Sequence, residues 1–432
     1  MRSWPRPSSS KAVRACSMTE AGALPVEGAD DVAARAAEEF LARIEAKEPE
    51  VRAFRSADPD RLRAEAAALD ALPPADRGPL HGLTVAVKEV FDVAGYVCGW
   101  GTPIHDGRRP DRDAWAVAAL RRAGALIAGI TVSTEYAMAT PGPTTNPFDP
   151  KRTPGASSQG SAAAVGGGMV SAALGSQTIG SIVRPAAYCG CIGVKPTFDA
   201  IDPAGCMTLS GALDHVGFMA GRPDTVAALL NVLMPDDGVG ESLPGQGSLL
   251  NPWYSEPTAP GITAAVEAAA RTLGDLGTGF GEADLPSWIA KEEADVMDVL
   301  LSHDMAVHHG GDYDAHGDIM SERVRGYIDR GRTVTAPQYD AALARQKEMA
   351  EAMDDFVGDG VLLMPATTDV APLLTEGTGP REPQRLWTLV GLPAMTVPVG
   401  RIDGLPVGVQ VIARRGADRR VLAAVRALFD AS

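Results

Sequence analysis

PGASSQGSAAAVGGGMVSAALGSQTIGSIVRPAAYCGCIGVKPT, running from Pro154 to Thr197, is built from serine, glycine and alanine around one arginine and two cysteines. Side chains this small let backbone come close to a ligand. Serine hydroxyls among glycines suit two chemistries: binding a phosphate, or attacking a carbonyl while backbone N–H groups hold the oxyanion. Spacing argues against the first. A Walker phosphate loop needs G-x-x-x-x-G-K-[ST], and Gly190 to Thr197 has a valine before the lysine and a proline after it. A G-x-S-x-G elbow is absent as well, because Gln159 lies two places beyond Ser157 and Val183 two places beyond Ser181. What remains is a serine nucleophile whose base is not histidine, and a Ser–Lys pair is one such solution.

A lysine in a suitable setting lies upstream, in LHGLTVAVKEVFDVAG from Leu80 to Gly95. Leu83, Val85 and Val87 alternate with Thr84, Ala86 and Lys88, which predicts a strand ending on the lysine. Glu89 would then face the opposite side of that strand and leave the amine unpaired. Lysine acts as a base only when neutral, so its ordinary pKa of about 10.4 must fall by burial or by nearby positive charge.

The two stretches, taken in order, resemble the signature of the amidase signature family, GGSSGGSAAAV…LGxDxGGSIRxPAAFCGxxGLKPT preceded by LHGxPxxVKDxxDxxG. VLLMPATTDVAP from Val361 and GLPAMTVPVGRIDGLPVGVQVIARRGAD from Gly391 to Asp418 agree with it too. The resemblance implies one large α/β domain, a mixed central β-sheet covered by helices on both faces. It implies amide hydrolysis by Ser–cisSer–Lys catalysis, with Ser181 acylated, Ser157 relaying protons across a cis peptide, and Lys88 as base. Backbone N–H groups of Thr178, Ile179 and Gly180 would form the oxyanion hole, just before a helix starting near Ile182. Ser158, Gln177 and Arg184 fall on the substrate side. No metal or organic cofactor is implied.

Departures from the pattern cluster in one loop. The aspartate of the family motif is Gln177, its first glycine is Ile179, and its arginine has moved one place, to Arg184. An aspartate and an arginine that pair would be lost or moved together. Arg184 can bind a substrate carboxylate or tie down a loop, and an arginine just before Pro185 favours the second. Two rivals to a stand-alone amidase remain: the glutamine-hydrolysing subunit of a tRNA-dependent amidotransferase, and a small-molecule kinase that uses PGASSQGSAAAVGGG for phosphate. The kinase reading leaves Lys88 and Ser181 unexplained.

Other features bound the answer. Ser302 to His316 holds four of the seven histidines, yet its spacing matches no strong metal-ligand pattern, so a polar helix end beside the substrate entrance is expected. Cys189 and Cys191, with Cys16, Cys98 and Cys206 distant in sequence, read as buried thiols in a reducing cytoplasm. A net charge of −16 and a pI near 4.9 argue against nucleic acid and anionic membranes. The expected partner is a small-molecule amide, with a homodimer left open.

Residues 1–28 read as a disordered tail or an upstream start before Met18, and 29–432 as the amidase domain. Within it, 236–332, with Trp253, Tyr254 and Trp288, is the expected variable, substrate-side region. One or two amphipathic helices are predicted over Asp30 to Leu72, a helix over Asp113 to Arg122 and a strand over Ala125 to Val132. A buried glycine-rich helix is predicted over Ala162 to Leu174, and a strand (Pro406 to Ile412) and helix (Asp418 to Phe429) close the chain.

Overall fold

Alternation along the strands divides the interior into two layers. Val85, Val87, Ile127, Leu174 and Phe218 join one apolar cluster, whereas Ala86, Leu126, Ala128, Ala173 and Met219 join another on the opposite face. Both faces are buried, which requires helices on both sides. The computed structural model describes residues 31–138, 140–234, 238–250 and 257–432. The expected tail and the Trp253–Tyr254 cluster lie outside the described residues.

The strands are β1 (Phe54–Ser56), β2 (Thr84–Lys88), β3 (Leu126–Thr131), β4 (Ala172–Gln177), β5 (Ile192–Lys195) and β6 (His215–Ala220). They continue with β7 (Gln246–Leu250), β8 (Gly279–Ala283), β9 (Val361–Pro365), β10 (Ala394–Ile402) and β11 (Leu405–Ile412). All form one sheet in the order β1-β3-β2-β4-β6-β5-β10-β11-β9-β7-β8. It is mixed: β2 runs parallel to β3 and β4, and β7 parallel to β8 and β9, while the remaining pairs are antiparallel.

The helices are α1 (Val32–Val51), α2 (Pro59–Asp70), α3 (Trp115–Arg122), α4 (Gln159–Gly166), α5 (Val183–Cys189) and α6 (Pro223–Leu233). They are followed by α7 (Pro260–Asp275), α8 (Ser287–His316), α9 (Glu322–Gly331), α10 (Ala336–Val357), α11 (Glu382–Leu389) and α12 (Asp418–Asp430). Apolar residues of α1, α2 and α4 pack on the Ala86 face, and those of α3, α6 and α12 on the Val85 face. No described helix is long and apolar enough to cross a membrane.

One sequence expectation fails. The helix predicted over Ala162 to Leu174 ends at Gly166, and Ala172 to Gln177 form β4. Gly166, Gly167 and Gly168 stop the helix, Gly168 at φ +67°. Pairing of Ala172, Ala173 and Leu174 with both β2 and β6 then outweighs alanine's helical preference. Gly166 has a second reason to lack a side chain, since a methyl built there would overlap the Cys189 carbonyl of α5. Gly166→Ala should therefore cost about 1–3 kcal/mol, read as a lower urea midpoint at unchanged slope. An unchanged midpoint would show that α4 can move away from α5.

Candidate functional site

The position of β2 between β3 and β4 buries every residue of that strand, Lys88 included at its C-terminal end. Lys88 Nζ lies 2.8 Å from Ser157 Oγ, 2.9 Å from Ser176 Oγ and 3.4 Å from the Ser176 carbonyl oxygen. Burial drives the amine down to about 7, against the opposing pull of Cys206, Asp214 and Glu89. Glu89 does not pair with it: its Oε1 accepts the Ser133 N–H at 2.7 Å, and burial raises its own pKa. A neutral amine has two N–H groups and one lone pair. Ser176 offers two acceptors for those donors, which leaves the lone pair to accept the Ser157 hydroxyl proton.

Ser157 follows a cis peptide bond from Ala156. Gly155, at φ +85°, lies so close to Pro185 that a Cβ would come within 2.8 Å of its Cα. The serine-rich turn is thus pressed against the start of α5. Ser158 strengthens that contact, its backbone N–H donating to the Ser181 carbonyl at 3.3 Å and its hydroxyl to the Ser176 carbonyl at 3.3 Å. Residues 154–165 are all buried, so the serine turn is interior packing rather than an open phosphate cradle.

Ser181 is partly exposed, at the floor of a narrow pocket walled by Met138, Ile179, Leu209 and Leu301 and by Arg184 and Arg381. The free space is about 20 Å³. Just before Ser181, the N–H groups of Thr178, Ile179 and Gly180 meet no acceptor among the described residues. Three adjacent unpaired donors beside a serine hydroxyl form a place where negative charge on oxygen is stabilised.

The loop that presents them is held by neutral hydrogen bonds. Gln177 Oε1 accepts the N–H groups of Ile182 at 2.8 Å and Val183 at 3.1 Å, while its Nε2 donates to Thr388 Oγ1 at 3.0 Å. Thr388 Oγ1 in turn donates to the Ile179 carbonyl at 2.7 Å. Thr178 Oγ1 donates to Asp214 Oδ1 at 2.5 Å, and the other Asp214 oxygen accepts the N–H groups of Leu209 and Ser210. Burial lifts Asp214 to about 6. Gly180 packs under Gln384, whose Oε1 would stand 2.6 Å from a Cβ there.

Arg184 lies behind the loop. Its guanidinium donates to the carbonyls of Ala156 at 2.8 Å and Gly379 at 2.6 Å, its Nε has no partner, and burial brings its pKa down to about 10. Sequence reasoning missed Ser176, Asp214, Gln384 and Thr388. Gln384 and Thr388 share one face of α11 as a polar i, i+4 pair in a buried helix, a visible signal whose partner was not. Asp214 is 36 residues from Thr178 and carries no local sign of the contact.

The histidine run forms the C-terminal half of α8, whose Leu301 lines the pocket. Asp304 accepts the Ser210 hydroxyl at 2.7 Å, His309 Nε2 donates to the Thr208 carbonyl at 2.9 Å, and burial pulls His309 down to about 4. Asp312 Oδ2 accepts the Tyr136 hydroxyl at 2.7 Å and lies 2.8 Å from His105 Nε2. No group of three metal-ligating side chains occurs among the described residues. Cys98, Cys189 and Cys191 are buried free thiols.

Comparison with known proteins agrees with this geometry. The family model described as Amidase matches residues 35–422. The chain is 33% identical to a glutamyl-tRNA(Gln) amidotransferase subunit of Chloroflexus aurantiacus, over 89% of this chain and 90% of that protein. Its fold is similar to native peptide amidase from Stenotrophomonas maltophilia, with TM-score 0.81 and 27% identity, covering 92% of this chain and 93% of the other. It is similar also to a structure reported for a vestigial protein complex and the origins of an s-triazine catabolic enzyme, with TM-score 0.84 and 28% identity over 93% and 95% of the two chains. The chain therefore belongs to the amidase signature family, hydrolases that act on carbon–nitrogen bonds other than peptide bonds.

Proposed function

We propose that the protein hydrolyses a small carboxamide, or a related C–N acyl bond, through an acyl-enzyme on Ser181. The observation that carries this reading is the buried Lys88 amine, brought down to about 7 by desolvation and 2.8 Å from the Ser157 hydroxyl. Ser181 Oγ attacks the carbonyl carbon while its proton passes through Ser157 to Lys88. The N–H groups of Thr178, Ile179 and Gly180 hold the oxyanion, each such donor contributing about 10²–10³ in rate. Collapse breaks the C–N bond, and the proton on Lys88 returns through Ser157 to the departing nitrogen. Water then attacks the ester by the same relay, releasing the acid and restoring Ser181. Gln177 and Ser158 shape this loop, and Ile179, where the family motif has glycine, stands in the pocket wall beside Ser181. The protein would act in the cytoplasm on a small molecule, without nucleic acid, as a monomer or homodimer.

The curated relatives favour a second reading, in which the chain is the glutamine-hydrolysing subunit of a tRNA-dependent amidotransferase. Copurification with partner subunits and ammonia release from glutamine alone would select it. Turnover of simple amides by the isolated chain would select the first.

Ser181→Ala should remain folded, release no ammonia from any amide and lose labelling by a fluorophosphonate; retained turnover would refute the assignment. The pH profile has a definite sign. Lys88 is the working base only when neutral, so kcat/KM should fall as pH drops through about 7 and level off above it. A rate that rises toward acid pH would remove Lys88 from that role.

A further inference from the structure

The residues that supply the unpaired N–H groups before Ser181 differ in what they can project toward the pocket. Gly180 can project nothing, because Gln384 Oε1 would stand 2.6 Å from a Cβ there. Thr178 commits its hydroxyl to Asp214. Ile179 is left, and its side chain lines the pocket beside the nucleophile. The backbone at 179 has a negative φ, a region open to any residue, so conformation does not require the glycine of the family motif there. What isoleucine adds at this position is a branched aliphatic side chain against the reacting serine.

Ile179 is also a part of the wall that gives way with difficulty. Branching at Cβ restricts its χ1, whereas Met138, another wall residue, is unbranched and adapts its shape. The Ile179 carbonyl accepts the Thr388 hydroxyl at 2.7 Å, and its neighbours are held in turn, Thr178 by Asp214 and Gly180 by the Gln384 side chain above it. Ile179 is 8% exposed, against 3% for Met138, 2% for Leu209 and 1% for Leu301, so more of it faces the cavity. The free space is about 20 Å³, little above the least that holds one water. A primary carboxamide loses only ammonia, so its acyl group is the part that meets this wall.

We propose that Ile179 sets the size limit on the acyl group, admitting short aliphatic amides and rejecting arylacetyl ones. This rests on the amidase reading and names the residue that selects within it. The test uses two matched pairs whose members differ by one phenyl ring. Acetamide is paired with phenylacetamide, and methanesulfonyl fluoride with phenylmethanesulfonyl fluoride, each fluoride sulfonylating Ser181 Oγ with loss of fluoride ion. Wild type, Ile179→Val, Ile179→Ala and Ile179→Gly are compared by the large-to-small ratio of kcat/KM for the amides and of labelling rate for the fluorides, so that intrinsic reactivity cancels between proteins. The ratio should rise about threefold in Ile179→Val, which loses one methyl, about tenfold in Ile179→Ala, and further in Ile179→Gly. Were Ile179 only structural, both members of a pair would slow together and the ratio would stay fixed.

An unchanged or falling ratio across the folded variants would overturn the size limit and leave the amidase standing. If Ile179→Ala and Ile179→Gly do not fold, Ile179→Val, which keeps the branch at Cβ, decides by the same ratio. If Ser181 is labelled yet neither amide turns over, the ratio of the fluorides decides. Failure of Ser181 to react with either fluoride or with any amide would overturn both readings together.

Discussion

Withdrawal of Lys88 from water is the condition on which the site depends. An ammonium loses its hydration in a sheet interior, and the neutral amine is favoured because it has less to lose. The strands on either side of β2 supply that dryness, and Ser176 supplies acceptors for the remaining N–H groups. The acids in the neighbourhood would undo the effect if they paired with the amine. Asp214 is occupied by Thr178, Leu209 and Ser210, and Glu89 is occupied by Ser133. Each carboxylate is satisfied by hydrogen bonds, so each is kept off the lysine.

The same preference for neutral hydrogen bonding governs the loop before Ser181. Gln177 accepts from two backbone N–H groups and donates to Thr388, so one uncharged side chain fixes both ends of the turn. A carboxylate at that position could accept those two N–H groups but could not donate to Thr388. With no charge at 177, Arg184 has no partner there. It bonds two backbone carbonyls instead and keeps its Nε directed at no acceptor. Gln177 and Arg184, the two departures from the family motif, are thus each satisfied by uncharged partners.

Leu301 of α8 closes one side of the pocket, away from the sheet. Among the attachments of α8, Asp304 accepts the Ser210 hydroxyl and His309 donates to the Thr208 carbonyl, and the same 208–210 segment holds Asp214 and through it Thr178. α8, the loop before Ser181 and the neighbourhood of the lysine thus share one chain of contacts.

The candidate serines, the lysine and the order of motifs were legible because their neighbours are small residues or an alternating strand, patterns written in adjacent positions. The alternation at 83–88 set the face on which Lys88 lies, and the Gly-Ser spacing excluded a Walker phosphate loop and the nucleophile elbow. The 162–174 segment misled, since alanine and glycine read alike in a helix and in a tightly flanked strand until the partners of β4 are known. Sequence alone determined which groups could do chemistry, because reactivity begins with residue type and local spacing. Only the tertiary structure decided that Lys88 is dry, that Asp214 and Thr388 steady the loop, and that Arg184 and Arg381 line the pocket. Desolvation and charge proximity arise between segments tens to hundreds of residues apart, and no local pattern encodes them.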